Sequence, residues 1–267
     1  MAILTISRES ESGGWEIGRK VTELTGYDLV DQKRLLAKLQ SAGKRWGDLG
    51  KEMDEVRPSL WEKFDWEYRG LIASFESSIF EFALRDRVVV MGRGGNILLK
   101  DIPHVLKIRL FAPLECRVSR LINRNNLERI TAERLIKKID QNRAGYIKTI
   151  YRENWEDPKN YDVVFNTGTQ TQEQIIPLLL KALKDKDQFF TPEGQERLKG
   201  LALAARVRAE LFTHPKVFIP TLEIFYDGQG LVLRGVVHNT QECHRVEEMV
   251  HKIADPSPIR NELRYRS

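Results

Sequence analysis

The sequence predicts an α/β protein, a mostly parallel sheet with helices on both faces, followed by a small α+β unit of order αββαβ. Three observations lead there. Short apolar runs alternate with segments of helical spacing as far as residue 185, the arrangement that builds parallel sheets. Arg87-Val-Val-Val-Met91 carries an apolar run without alternation, which suits a strand buried on both faces. The composition then breaks at residues 184–194, where charges, Pro192 and Gly194 mark a linker.

Taken in order, Ile3 to Ile6 is a β-branched run ended by a Ser/Glu/Gly cluster, and Ile17, Val21 and Leu24 then recur at helical spacing. Gly26 ends that helix, and Tyr27 to Val30 form a short extended piece. Ile72, Phe75, Ile79 and Phe82 mark one face of a long helix leading into the 87–91 strand. Residues 105–111 alternate as a strand, with Lys107 and Arg109 on one side, and a helix follows from Leu114. Ala132, Leu135, Ile136 and Ile139 mark the next helix, 163–165 a last strand and 175–183 a closing helix. Beyond the linker the pattern reads helix (195–212), strand (217–226), strand (231–237), helix (241–254) and strand (259–265), with Asp227-Gly228 opening the turn. The expected organisation is therefore a domain over 1–185, a linker over 186–196 and a second domain over 197–267.

A chain of 267 residues with 41% hydrophobic and 30% charged residues has the means to bury two cores. The net charge of +5 is spread along the chain, which suits a phosphate-bearing ligand and argues against nucleic acid, for which a concentrated basic stripe is wanted. Cys116 and Cys243 lie far apart and read as free thiols, and the five histidines are scattered without metal-ligand spacing, so no resident metal site is expected. No leader or membrane span is evident at the first residues, which points to the cytoplasm.

The segment with the most chemistry is Ser7-Arg-Glu-Ser-Glu-Ser-Gly-Gly14, between the first strand and the first helix. A turn of small residues there exposes backbone N–H groups beside the positive end of the helix, where they can cradle phosphate oxygens. The standard phosphate loop is G-x-x-x-x-G-K-[ST]. Aligned on the strand, Gly13 is its last glycine, Gly14 replaces the lysine and Trp15 the hydroxyl residue.

The run Ile3-Leu-Thr-Ile-Ser-Arg-Glu, then Ser12-Gly-Gly, then Glu16-Ile-Gly-Arg-Lys resembles the opening of the cytidylate kinase-like family, whose pattern is S-R-E-x-G-S-G-G-x-x-I-G. Glu11 stands where that pattern has glycine. Tyr27-Asp-Leu-Val-Asp31, Val90-Met-Gly-Arg-Gly-Gly-Asn96, Phe111-Ala-Pro-Leu-Glu-Cys-Arg117, Ile136-Lys-Lys-Ile-Asp-Gln-Asn-Arg143, Trp155 to Asp162 and Asn166-Thr167 continue the likeness in order, over about residues 1–185. The resemblance implies a phosphate-loop kinase fold that uses ATP and Mg²⁺. It assigns nucleotide binding to Ser7, Arg8, Ser10, Ser12, Gly13, Gly14, Asp31 and Gly92. The charge-stabilising roles go to Arg93, Arg117, Arg120, Arg124 and Arg143, with Arg93 on the acceptor's phosphate and the others in a lid. Asp31 orients the acceptor or a metal-bound water, or simply caps the helix that begins at Gln32. The aromatic run Trp46, Trp61, Phe64, Trp66 and Tyr68 either lines a base pocket or belongs to helix packing.

Residues from about Leu198 onward resemble a BON domain, on Ala205-Arg-Val-Arg-Ala-Glu-Leu, Tyr226-Asp-Gly, Leu231-Val-Leu-Arg-Gly-Val-Val and Ile259-Arg-Asn-Glu-Leu. That likeness implies a phospholipid or small-ligand module, with a packing or dimerisation role as the alternative. The expected function is transfer of the γ-phosphoryl of ATP to a (deoxy)cytidine monophosphate or similar nucleotide. Its rival is a nucleotide-binding regulator that does little or no catalysis.

Overall fold

A computed structural model describes residues 1–42, 58, 62, 65–255 and 257–266. Trp46, Trp61 and Phe64 lie outside the described residues. The elements in chain order are β1 (Ile3–Arg8), α1 (Gly14–Thr25), β2 (Asp28–Val30), α2 (Gln32–Ala42), α3 (Trp66–Ala83), β3 (Val88–Met91) and α4 (Gly95–Leu98). They continue as β4 (Val105–Phe111), α5 (Leu114–Asn125), α6 (Arg129–Tyr151), β5 (Val163–Asn166) and α7 (Gln172–Lys186). The last are α8 (Pro192–Thr213), β6 (Glu223–Tyr226), β7 (Leu231–Val237), α9 (Thr240–Ala254) and β8 (Ile259–Tyr265).

The described chain divides into two compact units, one holding residues 1–34 and 85–191, the other 35–42, 65–84 and 192–266. The first contains a five-stranded sheet of order β2-β3-β1-β4-β5, parallel throughout. Strand β1 sits at its centre, so its side chains are covered on both faces and its apolar run is continuous. On one face Leu4 and Ile6 of β1, Val89 and Met91 of β3 and Ile108 of β4 pack against Ile17 and Val21 of α1 and Ile175 and Leu179 of α7. On the other, α4 approaches so closely that a Cβ at Gly95 would lie 2.8 Å from Cγ1 of Val90. Helices α5 and α6 form an arm with its own apolar seam of Val118, Leu121, Ala132 and Ile136.

The second unit packs α3, α8 and α9 with a three-stranded sheet, β6-β7 antiparallel and β7-β8 parallel. Its core joins Ala73 of α3 to Val207 and Leu211 of α8, Leu233 and Val237 of β7, and Val246 and Val250 of α9. Trp66 lies in this core region, its ring 4.8 Å from that of Phe212, and Tyr68 is buried. Arg69 fastens the strandless stretch before β6, donating to the carbonyl of Pro220 and, at 2.9 Å, to that of Leu222. Here the expected strand over 217–226 shrinks to Glu223–Tyr226. The N–H of Val217 turns back to His214 and that of Leu222 to Ile219, so both are spent in turns rather than in a ladder. The expected linker is largely helical: α7 runs to Lys186, and α8 starts at Pro192, where proline is favoured at a helix's first turn. Neither cysteine is in a disulfide. Among the described residues no helix is long and apolar enough to cross a membrane.

His104, just before β4, is fully buried, and neither ring nitrogen has a hydrogen-bond partner among the described residues. Its Nε2 stands 3.7 Å from Oδ1 of Asp86, and its ring lies 5.0 Å from that of Phe190. Burial pushes its pKa below the usual imidazole value, outweighing the pull of the Asp86 carboxylate. The folded state therefore favours the neutral ring, and its stabilisation is full above the unfolded pKa of about 6.5 and lost as pH falls below it. Melting curves from pH 7.5 to 5.5 should show a fall in stability that His104→Phe removes. An identical fall in the variant would assign it to other groups.

Candidate functional site

Residues 9–13 join β1 to α1 and turn through two left-handed positions, Glu11 at φ 59° and Gly13 at φ 76°. Glycine takes that conformation freely, whereas a glutamate there must be held by its neighbours. Glu11 is held twice: its carboxylate pairs with Arg124, and its carbonyl accepts from Nη1 of Arg120 at 3.1 Å.

The remaining carbonyls of this stretch are fastened in the same manner. Arg143 donates to the carbonyl of Arg8 at 3.1 Å, Arg117 to that of Ser10 at 3.2 Å, and the Thr167 hydroxyl to that of Ser12 at 2.8 Å. The Glu9 carbonyl accepts from both the N–H and the hydroxyl of Ser12, at 3.3 and 2.8 Å. Ile17 makes the first helical bond of α1, to Gly13 at 3.1 Å, so the N–H groups of Gly14, Trp15 and Glu16 precede the helical ladder. A groove of about 700 Å³ opens beside them, lined by Glu11, Gly13, Glu16, Arg120, Asn123 and Arg124 among others.

Two carboxylates stand behind the loop. Glu9 accepts from Nη2 of Arg109 at 3.2 Å and from the N–H of Ala112 at 3.3 Å, and its Oε2 lies 3.3 Å from Nε of Arg117. Burial nevertheless pushes its pKa up, against the lowering pull of Arg117, the Ala112 N–H and Arg109. Asp140 of α6 accepts the N–H of Ser10 at 2.8 Å and pairs with Arg117. The arm is thereby tied to the loop through the Asp140 carboxylate and four guanidiniums, those of Arg117, Arg120, Arg124 and Arg143.

Arg109, half-way along β4, is 5% exposed. It donates to the carbonyl of Trp155 at 3.0 Å and its guanidinium lies 4.3 Å from the centre of that indole. The indole in turn donates to Ser7 Oγ at 2.8 Å, and the Tyr161 hydroxyl donates to the Trp155 carbonyl at 2.7 Å. Ser7 is thus locked by buried aromatics at the end of β1.

After β3, Gly92, Arg93 and Gly94 all have positive φ, at 74°, 55° and 71°. Three such residues in succession fold the chain sharply, and Arg93 is 2% exposed. Its carbonyl accepts from the Tyr151 hydroxyl at 3.3 Å. Arg93, Arg8 and Arg143 line one narrow crevice with Ser7, Gly92 and Tyr146. Asp31 caps α2 by accepting the N–H of Arg34 at 2.9 Å, while Arg34 grips Asp28 with both terminal nitrogens, at 2.8 and 2.7 Å.

Of the residues expected from sequence, Ser7, Arg8, Ser10, Ser12, Gly13 and Gly14 lie in or at the loop, Gly92 and Arg93 at the adjoining β3 turn. Arg117, Arg120, Arg124 and Arg143 converge on the loop's carbonyls and acids. Asp31 stands apart, at the end of β2. Sequence reasoning assigned no role to Glu9, Arg109, Asp140, Trp155, Tyr161 or Thr167. The signal for Arg109 was present, an arginine within an otherwise apolar strand.

A central strand of a parallel five-stranded sheet followed by a glycine-bearing loop and a helix, with an arginine-bearing arm bonded to that loop, defines a kinase-like phosphate-loop fold. The cytidylate kinase-like family model matches residues 3–169, and the chain belongs to that family. It is 24% identical over 193 residues to a cytidylate kinase of Methanosarcina barkeri, a match covering 71% of this chain and 99% of that one. It is 33% identical over 118 residues to a uronate isomerase of Corynebacterium glutamicum, covering 43% of this chain and 23% of the relative's length. Among solved structures, an uncharacterized protein from Eubacterium ventriosum superposes with a TM-score of 0.56 at 18% identity, covering 69% of this chain and 99% of the other.

Proposed function

We propose that this chain is a nucleotide phosphotransferase that uses ATP to phosphorylate a (deoxy)cytidine monophosphate or a similar nucleotide. The observation that carries the reading is the fastening of the loop's carbonyls from behind. With the oxygens of Arg8, Glu9, Ser10, Glu11 and Ser12 all engaged by donors, the N–H groups of Gly14, Trp15 and Glu16, which precede the helical ladder, are the donors this loop offers to an anion. Such preorganised donors bind phosphate oxygens without rearranging. Arg93, in the crevice at the carboxyl ends of β1 and β3, holds the acceptor's anionic group, the position where ligands of open α/β sheets bind.

Mg²⁺ accompanies this chemistry in related loops through a Ser or Thr hydroxyl. Here Trp15 occupies that place, with its indole 45% exposed. An indole offers the ion no ligand, so the loop does not fit Mg²⁺ and no step runs through it. That mismatch, with Glu11 in the loop and Asp140 on the Ser10 N–H, favours a second reading, a nucleotide-binding regulator with little turnover. The order α8-β6-β7-α9-β8 agrees with the αββαβ order of the BON-like resemblance, and under either reading we propose that this module takes a lipid headgroup or small ligand.

Calorimetry separates these. ATP and cytidine monophosphate should both bind the wild-type chain, and Arg93→Ala should weaken the monophosphate more, by roughly 1.5 to 3 kcal/mol, the size of a lost charge-assisted hydrogen bond. Equal losses for both ligands would remove the acceptor assignment. Binding of both without turnover would select the regulator.

A further inference from the structure

The standard phosphate loop opens on a glycine and closes on a lysine that reaches the terminal phosphates. This loop keeps that spacing with the sizes exchanged: Arg8 stands at the opening position and Gly14 at the closing one, six residues on. The two positions touch. A Cβ at Gly14 would lie 2.6 Å from Cβ of Arg8 and 2.8 Å from its Cγ, well inside the roughly 3.5–4.0 Å at which carbon atoms pack. The atoms concerned are the root of the arginine, which cannot swing away as a side-chain tip would. A side chain therefore fits at position 8 or at position 14, and not at both.

Position 8 also stands among other arginines. Arg8 ends the central strand, its carbonyl is pinned by Arg143, and its side chain lines the crevice shared with Arg93 and Arg143. A guanidinium stays charged at any working pH and can meet two phosphate oxygens with a planar fork. We propose that Arg8 is the loop's phosphate-binding cation, replacing the lysine of the standard loop from the opposite end, and that position 14 is glycine to make room for it. The ligand it takes is the terminal phosphates of a nucleoside triphosphate, so the proposal rests on the reading of this loop as a nucleotide site.

The test compares four forms of the full chain by calorimetry with inorganic tripolyphosphate and with ATP: wild type, Arg8→Gly, Arg8→Gly/Gly14→Lys and Arg8→Gly/Gly14→Met. Arg8→Gly should bind both anions more weakly, by about tenfold to a hundredfold, as expected when a charged hydrogen-bond donor is lost. The lysine pair should recover most of that loss, because the charge re-enters from position 14 into space vacated at position 8. The methionine pair, similar in length and uncharged, should not. Recovery by methionine as good as by lysine would make position 8 a packing residue and overturn the proposal, as would wild-type binding in Arg8→Gly. Should Arg8→Gly alone fail to fold, the lysine and methionine pairs carry the comparison between themselves. A wild-type chain that binds tripolyphosphate but not ATP, with the same pattern across variants, would sink the nucleotide reading and leave the role of Arg8 standing. Binding of neither anion by the wild type would overturn both.

Discussion

Arg109→Met is expected to lower the stability of the first unit by about 3 kcal/mol, the size found when one partner of a buried ion pair is removed. Methionine approximates the volume and keeps contact with the Trp155 indole, so the loss reports the guanidinium rather than a cavity. Three things go with it. The Trp155 carbonyl loses one donor, Glu9 loses one of its two guanidinium neighbours, and the cation over the indole disappears. Because burial already pushes the Glu9 pKa up, this carboxyl should take a proton more readily in the variant, leaving Arg117 without part of its counter-charge. Thermal melts of both forms should differ by about 10 °C, using about 2–4 °C per kcal/mol for a unit of this size. A change below about 1 kcal/mol would mean that Trp155, Tyr161 and Arg117 hold the network without it.

Gly94→Ala should cost about as much, for a different reason. Gly94 has φ 71°, and an added Cβ would come within 2.3 Å of Cε2 of Tyr151. Gly26, which ends α1, has nearly the same φ, 69°, and nothing within 4 Å of the same atom. Gly26→Ala therefore measures the left-handed backbone alone, about 1 kcal/mol. The excess in Gly94→Ala, about 1 to 3 kcal/mol, measures overpacking against the ring. Adding Tyr151→Leu to Gly94→Ala should return the difference, and chemical denaturation of the four proteins gives each value. If the two glycine variants are equally destabilised, the ring moves aside freely and the β3 turn is not braced by α6.

What the sequence disclosed follows from what local patterns encode. Period-two alternation and continuous apolar runs gave β1, β3 and β4 close to their observed ends, because burial on two faces leaves its mark residue by residue. The loop and the arginines were legible as a set of short motifs in order. The alternation in β4 put Lys107 and Arg109 on a common side, but no pattern in a single strand says what covers that side. There Arg109 meets Trp155, 46 residues later, and Glu9, 100 residues earlier. Asp140 had the same fate: within its helix it reads as a surface acid, and only the fold sets it against Ser10, 130 residues away. The run from Val217 misled in the other direction. Its apolar residues are buried, at Val217, Ile219 and Leu222, in turns that a strand propensity cannot tell from a ladder.

The contact between positions 8 and 14 also bears on how such a loop changes over generations. With arginine at 8, any side chain arriving at 14 is obstructed, and with glycine at 14, losing the arginine leaves the loop without a cation from either end. Each single replacement is worse than its starting point, while the paired exchange is not. On the proposal made above, positions 8 and 14 are therefore coupled: a change at either one is tolerated best when the other changes with it.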